Sequence, residues 1–132
     1  MKTRLKFILI LLMVMLSLSV NAIKPDKTYE LSEVDQQPEF PGGDTAMYKW
    51  IADSLTWNSD VYLSGRVIVE FCIAEDGTVE DVRIKRGIYP PFDDMILKKI
   101  SSMPKWNPAI ISGKPVKVTR ILPIKIEFPK YQ

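Results

Sequence analysis

Alternation of apolar and polar side chains gives the strongest structural signal in the chain. Between Arg66 and Ile73 the apolar residues recur at every second position, which is the period of a strand with one buried face. Asp76-Gly77 then marks a tight turn, and a second alternating run extends from Thr78 to Arg86. These residues predict a β-hairpin with one face in a hydrophobic core.

Two stretches instead show the spacing of amphipathic helices. Residues 45–55 follow a Pro-Gly-Gly breaker and have Asp44 as a predicted N-cap. Residues 92–103 carry acidic residues in the first turn and lysines near the end, which suits the helix dipole. The apolar stripe predicted for this second helix is Phe92, Ile96, Ile100 and Met103.

A final strand is predicted from Val116 to Phe128, where the apolar residues share even positions. Arg120 interrupts that parity, which predicts either a bulge or an Arg stem lying along the sheet. Pro123 cannot donate a backbone hydrogen bond, which places the strand at a sheet edge or at a bulge. The predicted class is therefore α+β: a small three-stranded antiparallel sheet with one helix packed on a face and an extra N-terminal helix.

Residues 1–22 have the layout of an export signal. Three basic residues precede an apolar run from Phe7 to Leu16, and Val20 and Ala22 occupy the positions that a signal peptidase reads. We predict cleavage after Ala22, with an uncleaved anchor facing the periplasm as the alternative. Residues 23–38 show no sustained period and are predicted to form a flexible lead to a domain at residues 39–132.

The export signal changes the charge balance. The whole chain has 18 basic and 16 acidic residues, but the signal holds three of the basic ones and none of the acidic ones. The remaining chain therefore has 15 basic against 16 acidic residues, a net charge of −1. This balance does not support a nucleic-acid partner.

Residue types point to binding rather than catalysis. The chain has no histidine, and no base lies near Cys72, the single cysteine, or near any serine. We expect no enzyme activity, no cofactor and no metal site. Cys72 lies within an apolar strand and is interpreted as a buried structural thiol, with pairing to another chain as the alternative. The adjacent carboxylates Asp93-Asp94 and Glu75-Asp76 are interpreted as a helix start and a turn.

The three tryptophans allow two interpretations. Trp50, Trp57 and Trp106 could form an aromatic platform for a ligand, but core or loop-pinning roles are favoured. Trp106 lies in a loop between two prolines and is the candidate for an accessory partner contact.

A series of short motifs resembles the C-terminal domain of the energy transducer TonB, in the form common in Bacteroidetes-type bacteria. The similarity covers residues 39–128, and its specificity comes from the order and spacing of the motifs. These are Phe40-Pro41-Gly42-Gly43, Gly65-Arg66-Val67-Ile68-Val69-Glu70-Phe71, Asp76-Gly77-Thr78, Arg86-Gly87, Met103-Pro104-Lys105-Trp106-Asn107-Pro108, Gly113-Lys114-Pro115-Val116 and Leu122-Pro123-Ile124.

The resemblance implies a periplasmic protein-binding domain of a Gram-negative cell. Its last strand would offer a free edge to an extended segment of a TonB-dependent outer-membrane receptor, in energy-coupled transmembrane transport. Because Pro123 removes a donor, pairing is predicted to be strongest before it. The predicted partner-binding residues are Val116, Lys117, Val118, Thr119, Arg120, Ile121 and Leu122.

The chain departs from the family's full transducers in its short lead and its cleavable-looking apolar segment. Retention of that segment would imply inner-membrane transport proteins as further partners. A second hypothesis is therefore an envelope adaptor or signalling-interaction domain with no energy-transducing role. Residues at Phe92-Asp93 and Arg120 also differ from the family pattern, which expects Leu-Asp and an apolar or aromatic residue there.

Overall fold

The computed structural model describes residues 2–19 and 27–129. The helices are α1 (Lys2–Ser19), α2 (Gly43–Ala52) and α3 (Pro90–Ser101), with a 3₁₀ helix at Leu31–Glu33. The strands are β1 (Leu63–Ile73), β2 (Val79–Arg86), β3 (Ala109–Ile111), β4 (Lys114–Val116) and β5 (Val118–Phe128). Within the described ranges, no helix combines the length and the apolar character needed to span a membrane. The predicted cleavage site, residues 20–22, lies outside the described residues.

An antiparallel three-stranded sheet in the order β2-β1-β5 forms the centre of the fold, which confirms the predicted α+β class. The predicted hairpin is also confirmed, since β1 pairs with β2 from Ile73 opposite Val79. Gly77 has a φ of +87° in the connecting turn, where an added Cβ would collide with the Trp106 carbonyl oxygen. The turn therefore needs glycine both for its backbone angle and for its contact with the Trp106 loop.

One face of this sheet is buried. The predicted stripe of α3 is confirmed for Phe92, Ile96 and Ile100, which are fully buried. Met103 is also in the core at 9% exposed, but it lies beyond the end of α3 at Ser101, so the predicted helix end at residue 103 is wrong. From α2, Met47 and Ile51 enter the same core. The core also takes alternate residues of two strands: Val67, Val69, Phe71 and Ile73 from β1, and Val118, Leu122, Ile124 and Ile126 from β5.

Both core-forming helices begin earlier than predicted. α3 includes Pro90 and Pro91 because the first helical positions need no backbone donor. α2 begins at Gly43 after Gly42, whose φ is +89°, so Asp44 is a first-turn residue and the prediction of an Asp44 N-cap is wrong. Asp44 instead pairs with Arg120, its Oδ1 lying 3.2 Å from Nη2.

The final strand differs from its predicted range. Val116 ends β4, which forms a separate hairpin with β3 around a turn at Ser112 and Gly113, both with positive φ. Lys117 lies between β4 and β5, so the predicted continuous strand from Val116 is wrong. The β1–β5 register runs without a break from Leu63–Phe128 to Ile73–Val118, so no bulge interrupts that pairing at Arg120. Arg120 lies on the core face opposite Phe71, with its guanidinium carbon 5.1 Å from the centre of the Trp106 ring.

The lead also differs from the prediction of a flexible segment. Residues 27–38 are hydrogen-bonded to the domain: the Tyr29 N–H donates to the Lys117 carbonyl, and the Tyr29 carbonyl accepts from the Thr119 N–H. Further along, Gln36 pairs with Ile110, and Glu39 pairs with Asn107. Residues 27–38 thus run along one side of the domain and touch the start of β5, whereas residues 23–26 of the predicted lead lie outside the described residues.

Cys72 is half-buried rather than buried. It belongs to the alternate set of β1 residues, which face away from the core, and its Sγ lies 3.7 Å from the Thr119 Oγ1. The prediction of a buried thiol is therefore wrong.

Candidate functional site

β5 is an edge strand, as Pro123 predicted. It pairs with β1 along its whole length on one side. On its other side, the described residues supply a single bridge, from Tyr29 to Val118. Most of the outer side of β5 therefore has no strand against it.

The Tyr29 bridge reveals which backbone groups point outward. The Thr119 N–H donates to Tyr29, so odd-numbered residues of β5 direct their N–H and C=O away from β1. Pro123 has this parity, so its missing donor costs the β1–β5 ladder nothing. We define the β5 edge as the outward groups of Ile121, Pro123, Lys125 and Glu127, all of which are exposed residues.

A groove of about 700 Å³ runs beside this edge. Its wall from α2 and the following loop consists of Tyr48, Ile51, Ala52 and Leu55, and its other wall is β5 from Pro123 to Phe128 together with Arg66. Both parities of β5 line it, which means that the groove follows the strand edge. We call it the α2 groove. An extended segment placed there would meet free backbone groups and an apolar surface together.

The predicted partner-binding residues are only partly available. Val116 belongs to β4, Lys117 and Thr119 bond to Tyr29 through their backbone, and Val118 and Leu122 are buried. The Arg120 side chain is held by Asp44 and Trp106. Ile121, 55% exposed, is the one predicted residue on the β5 edge.

Lys125 and Glu127 are not among the predicted partner-binding residues, yet both belong to the β5 edge. The sequence prediction placed the site before Pro123, although the free part of the edge continues after it. The position of Pro123 could have indicated this part of the edge. A proline within a paired strand has its backbone nitrogen on the unpaired side, so residues two and four positions later direct their backbone groups to that same side.

Trp106 does not present its ring to solvent. It is 3% exposed and packs against Phe40 and Phe71, with ring centroids 5.7 and 5.8 Å away. Its Nε1–H has no hydrogen-bond partner within the described residues. The core role that the sequence favoured is the one observed, and a direct accessory contact by its ring would require the loop to move.

Several ion pairs lie on the face of the sheet that points away from the core, which we call the open face. Glu70 Oε1 accepts a hydrogen bond from Arg83 Nη2 at 2.8 Å, and Glu70 Oε2 lies 3.1 Å from Lys85 Nζ. The Arg83 hydrogen bond and then the Lys85 ion pair lower the pKa of Glu70. Beside the start of β5, the hydrogen bond to Glu80 raises the pKa of Lys117. These ion pairs lie near β2, whereas Lys125 and Glu127 at the far end of β5 form no ion pair within residues 27–129.

A comparison with protein families identifies this arrangement. The family described as the C-terminal domain of the Gram-negative bacterial TonB protein matches residues 61–128, just over half of the chain. The chain belongs to this family. A search of the curated proteins found no match.

Membership confirms the resemblance found in the sequence motifs. TonB C-terminal domains are protein-interaction domains rather than enzymes, and they act in the periplasm of Gram-negative bacteria. They are generally involved in receptor interaction and energy transduction. The matched range contains all of β5 and the Arg66 wall of the α2 groove, whereas α2 and the lead precede it.

Proposed function

We propose that this protein is an exported, periplasmic TonB-like module that binds an extended segment of an outer-membrane receptor on the β5 edge. Binding would add one strand to the sheet and would couple the receptor to energy-driven transport. The observation that carries the proposal is the exposed, outward-facing backbone of β5 from Ile121 to Glu127 beside the α2 groove.

Strand addition fits the physical character of this edge. Free N–H and C=O groups supply main-chain hydrogen bonds, while pockets for alternate side chains supply selectivity. The Tyr29 bridge occupies the start of β5, and the 3₁₀ helix at Leu31–Glu33 also contacts this strand. The proposed pairing therefore starts at Ile121, whose outward backbone groups form no hydrogen bond with the described part of the lead. This range replaces the range before Pro123 that the sequence suggested.

Export is supported by the residue pattern of the N-terminal segment. Basic residues followed by an apolar run are typical of a signal peptide, and α1 forms over Lys2–Ser19. Function in the periplasm is also the setting in which the domains of this family act.

Photo-cross-linking in cells tests the site. A photoreactive residue at Glu127 should capture one short segment of an outer-membrane receptor, identified by mass spectrometry. The same residue at Lys98, exposed on α3, is the control position. Adding Ile121→Pro should abolish the Glu127 cross-link, because it removes an outward donor at a parity where Pro123 is already tolerated.

Circular dichroism is the folding control for the Ile121→Pro protein. Retention of the Glu127 cross-link in a folded Ile121→Pro variant would show that the edge is not the site. Loss of the cross-link without any loss of substrate uptake driven by the proton-motive force would favour the adaptor hypothesis.

A further inference from the structure

Three of the six cations in the strands β1, β2 and β5 form ion pairs with carboxylates. Arg83 and Lys85 pair with Glu70, and Arg120 pairs with Asp44. Lys117, just before β5, pairs with both Glu80 and Asp81. The positive charges of these four residues are thus balanced by neighbouring carboxylates.

Three other cations of the sheet are not paired with a carboxylate of the described residues. Arg66, Arg86 and Lys125 are exposed and form no ion pair with the residues that the structure describes. Arg66 and Lys125 are directly opposite each other in the β1–β5 register. Like charges at such a position destabilise a sheet, so the arrangement has a cost in the free protein.

Among the described residues of β5, Glu127 brings a carboxylate to this surface. Glu127 lies two residues from Lys125 on the same face, opposite Ser64, and it pairs with neither Arg66 nor Lys125. The three cations outnumber it, which leaves this end of the open face positive. Arg66, Lys125 and Glu127 also line the α2 groove, so the excess charge lies at the proposed docking site.

A strand added to the β5 edge would meet two different environments. Its alternate side chains would point to opposite faces of the sheet. Those on the core side would meet Tyr48, Ile51 and Leu55 of the groove wall. Those on the open side would meet Lys125 directly, with Arg66 one strand further in.

We propose that the bound segment alternates apolar and acidic side chains, with a carboxylate opposite Lys125 and apolar groups facing α2. This inference rests on the proposed docking at the β5 edge and specifies the chemistry of the partner. The carboxylate would relieve the repulsion between Arg66 and Lys125, and burial of the apolar groups would cover the groove wall.

Three synthetic eight-residue peptides test this chemistry against the full-length protein in detergent micelles. They share the same apolar residues at alternate positions and carry Glu, Gln or Lys at the others. Fluorescence anisotropy should give a dissociation constant about threefold to tenfold lower for the Glu peptide than for the Gln peptide, as expected for exposed ion pairs. High salt should remove that difference.

Charge reversal supplies the matched control. Lys125→Glu should make the Lys peptide bind more tightly than the Glu peptide, whereas Lys98→Glu, the same change in net charge on α3, should leave the order unchanged.

Equal binding of the Glu and Gln peptides, with both lost in Ile121→Pro, would overturn the acidic preference and keep the docking site. Absence of binding by every peptide, or binding unaffected by Ile121→Pro, would overturn both proposals. Charge-dependent binding of phosphatidylglycerol vesicles without peptide binding would assign the cations to a lipid surface instead.

Discussion

Asp93, in the first turn of α3, accepts hydrogen bonds from two backbone N–H groups that precede the helix. Its Oδ1 lies 3.0 Å from the Ile88 nitrogen and 3.4 Å from the Tyr89 nitrogen. Gly87 permits this close approach, because a Cβ there would collide with the Asp93 carboxylate. Asp94, the next residue, also carries a carboxylate in the first turns of α3, but this carboxylate forms no hydrogen bond within the described residues.

These contacts predict different effects for two neighbouring substitutions. Asp93→Ala should lower the free energy of unfolding by about 1 kcal/mol, because it leaves backbone donors at the helix start without a partner. Asp94→Ala should change it by less than about 0.5 kcal/mol. Urea denaturation of both variants measures the difference, and equal losses would show that the helix dipole alone matters.

Glu70 predicts part of the acid sensitivity of the fold. The hydrogen bond from Arg83 and then the ion pair with Lys85 hold the pKa of Glu70 below its usual value, so the ionised form stabilises the native state. That contribution is complete above the unfolded pKa of about 4.3 and is lost as pH falls through the lower folded value. Glu70→Gln should therefore lower the melting temperature at pH 7 and reduce its decline between about pH 5 and pH 3.

Thermal unfolding across that pH range measures the Glu70 effect. Glu75→Gln is the matched control, since Glu75 is exposed and joins no ion pair among the described residues. An identical pH dependence in the parent and Glu70→Gln proteins would contradict the assigned role of the Arg83 and Lys85 contacts.

Among the helices and strands, the spacing of apolar residues predicted those elements whose structure depends on nearby residues in the chain. The β1–β2 hairpin and the buried stripe of α3 follow from side-chain spacing and a glycine turn. The lead could not be predicted this way, because Tyr29, Gln36 and Glu39 each make an isolated bridge to a distant residue. Such contacts depend on the completed fold and produce no repeat along the chain.

The proposed docking site was likewise predicted only in the part that depends on local sequence. Pro123 correctly indicated an edge strand, but the usable part of that edge depends on where the lead attaches. The α2 groove depends on how α2 packs beside β5, and no sequence spacing records that distance. The unpaired cations likewise became visible only when the β1–β5 register placed Arg66 opposite Lys125.

Pro123 also predicts how the edge is kept from pairing with itself. It removes one outward donor from the middle of the exposed strand, which is a common protection against edge-to-edge association. Pro123→Val should restore that donor, leave the β1 ladder intact and increase self-association. Analytical ultracentrifugation measures this effect in the full-length protein.

A second variant controls the Pro123 experiment. Ile121→Pro combined with Pro123→Val restores one outward donor and removes its neighbour of the same parity, so it should return the protein to the parent's association state. Self-association that persists in the double variant would indicate contacts elsewhere than the β5 edge.

At the scale of the whole molecule, the lead and the docking edge meet. The Tyr29 bridge lies at the start of β5, and the free edge begins two residues after Thr119. A force applied through the lead would therefore act beside the proposed partner strand. Retention of residues 1–22 would hold the chain at the inner membrane and allow such a force to be transmitted. Cleavage after Ala22 would remove that connection.

Processing of the N-terminal segment is the prediction that separates the two hypotheses. The small residue Ala22 at the predicted cleavage position should be accepted by signal peptidase, so the mature protein should begin at Ile23 in the periplasmic fraction. Ala22→Leu should block cleavage by placing a large side chain there, and the unprocessed protein should then sediment with membranes. Ala22→Ser preserves a small residue and should be processed like the parent. Mass spectrometry of the purified N-terminus measures all three proteins. A parent chain that retains Met1 in the membrane fraction would contradict cleavage, and it would favour an anchored transducer over a released adaptor because the apolar segment would connect β5 to the inner membrane.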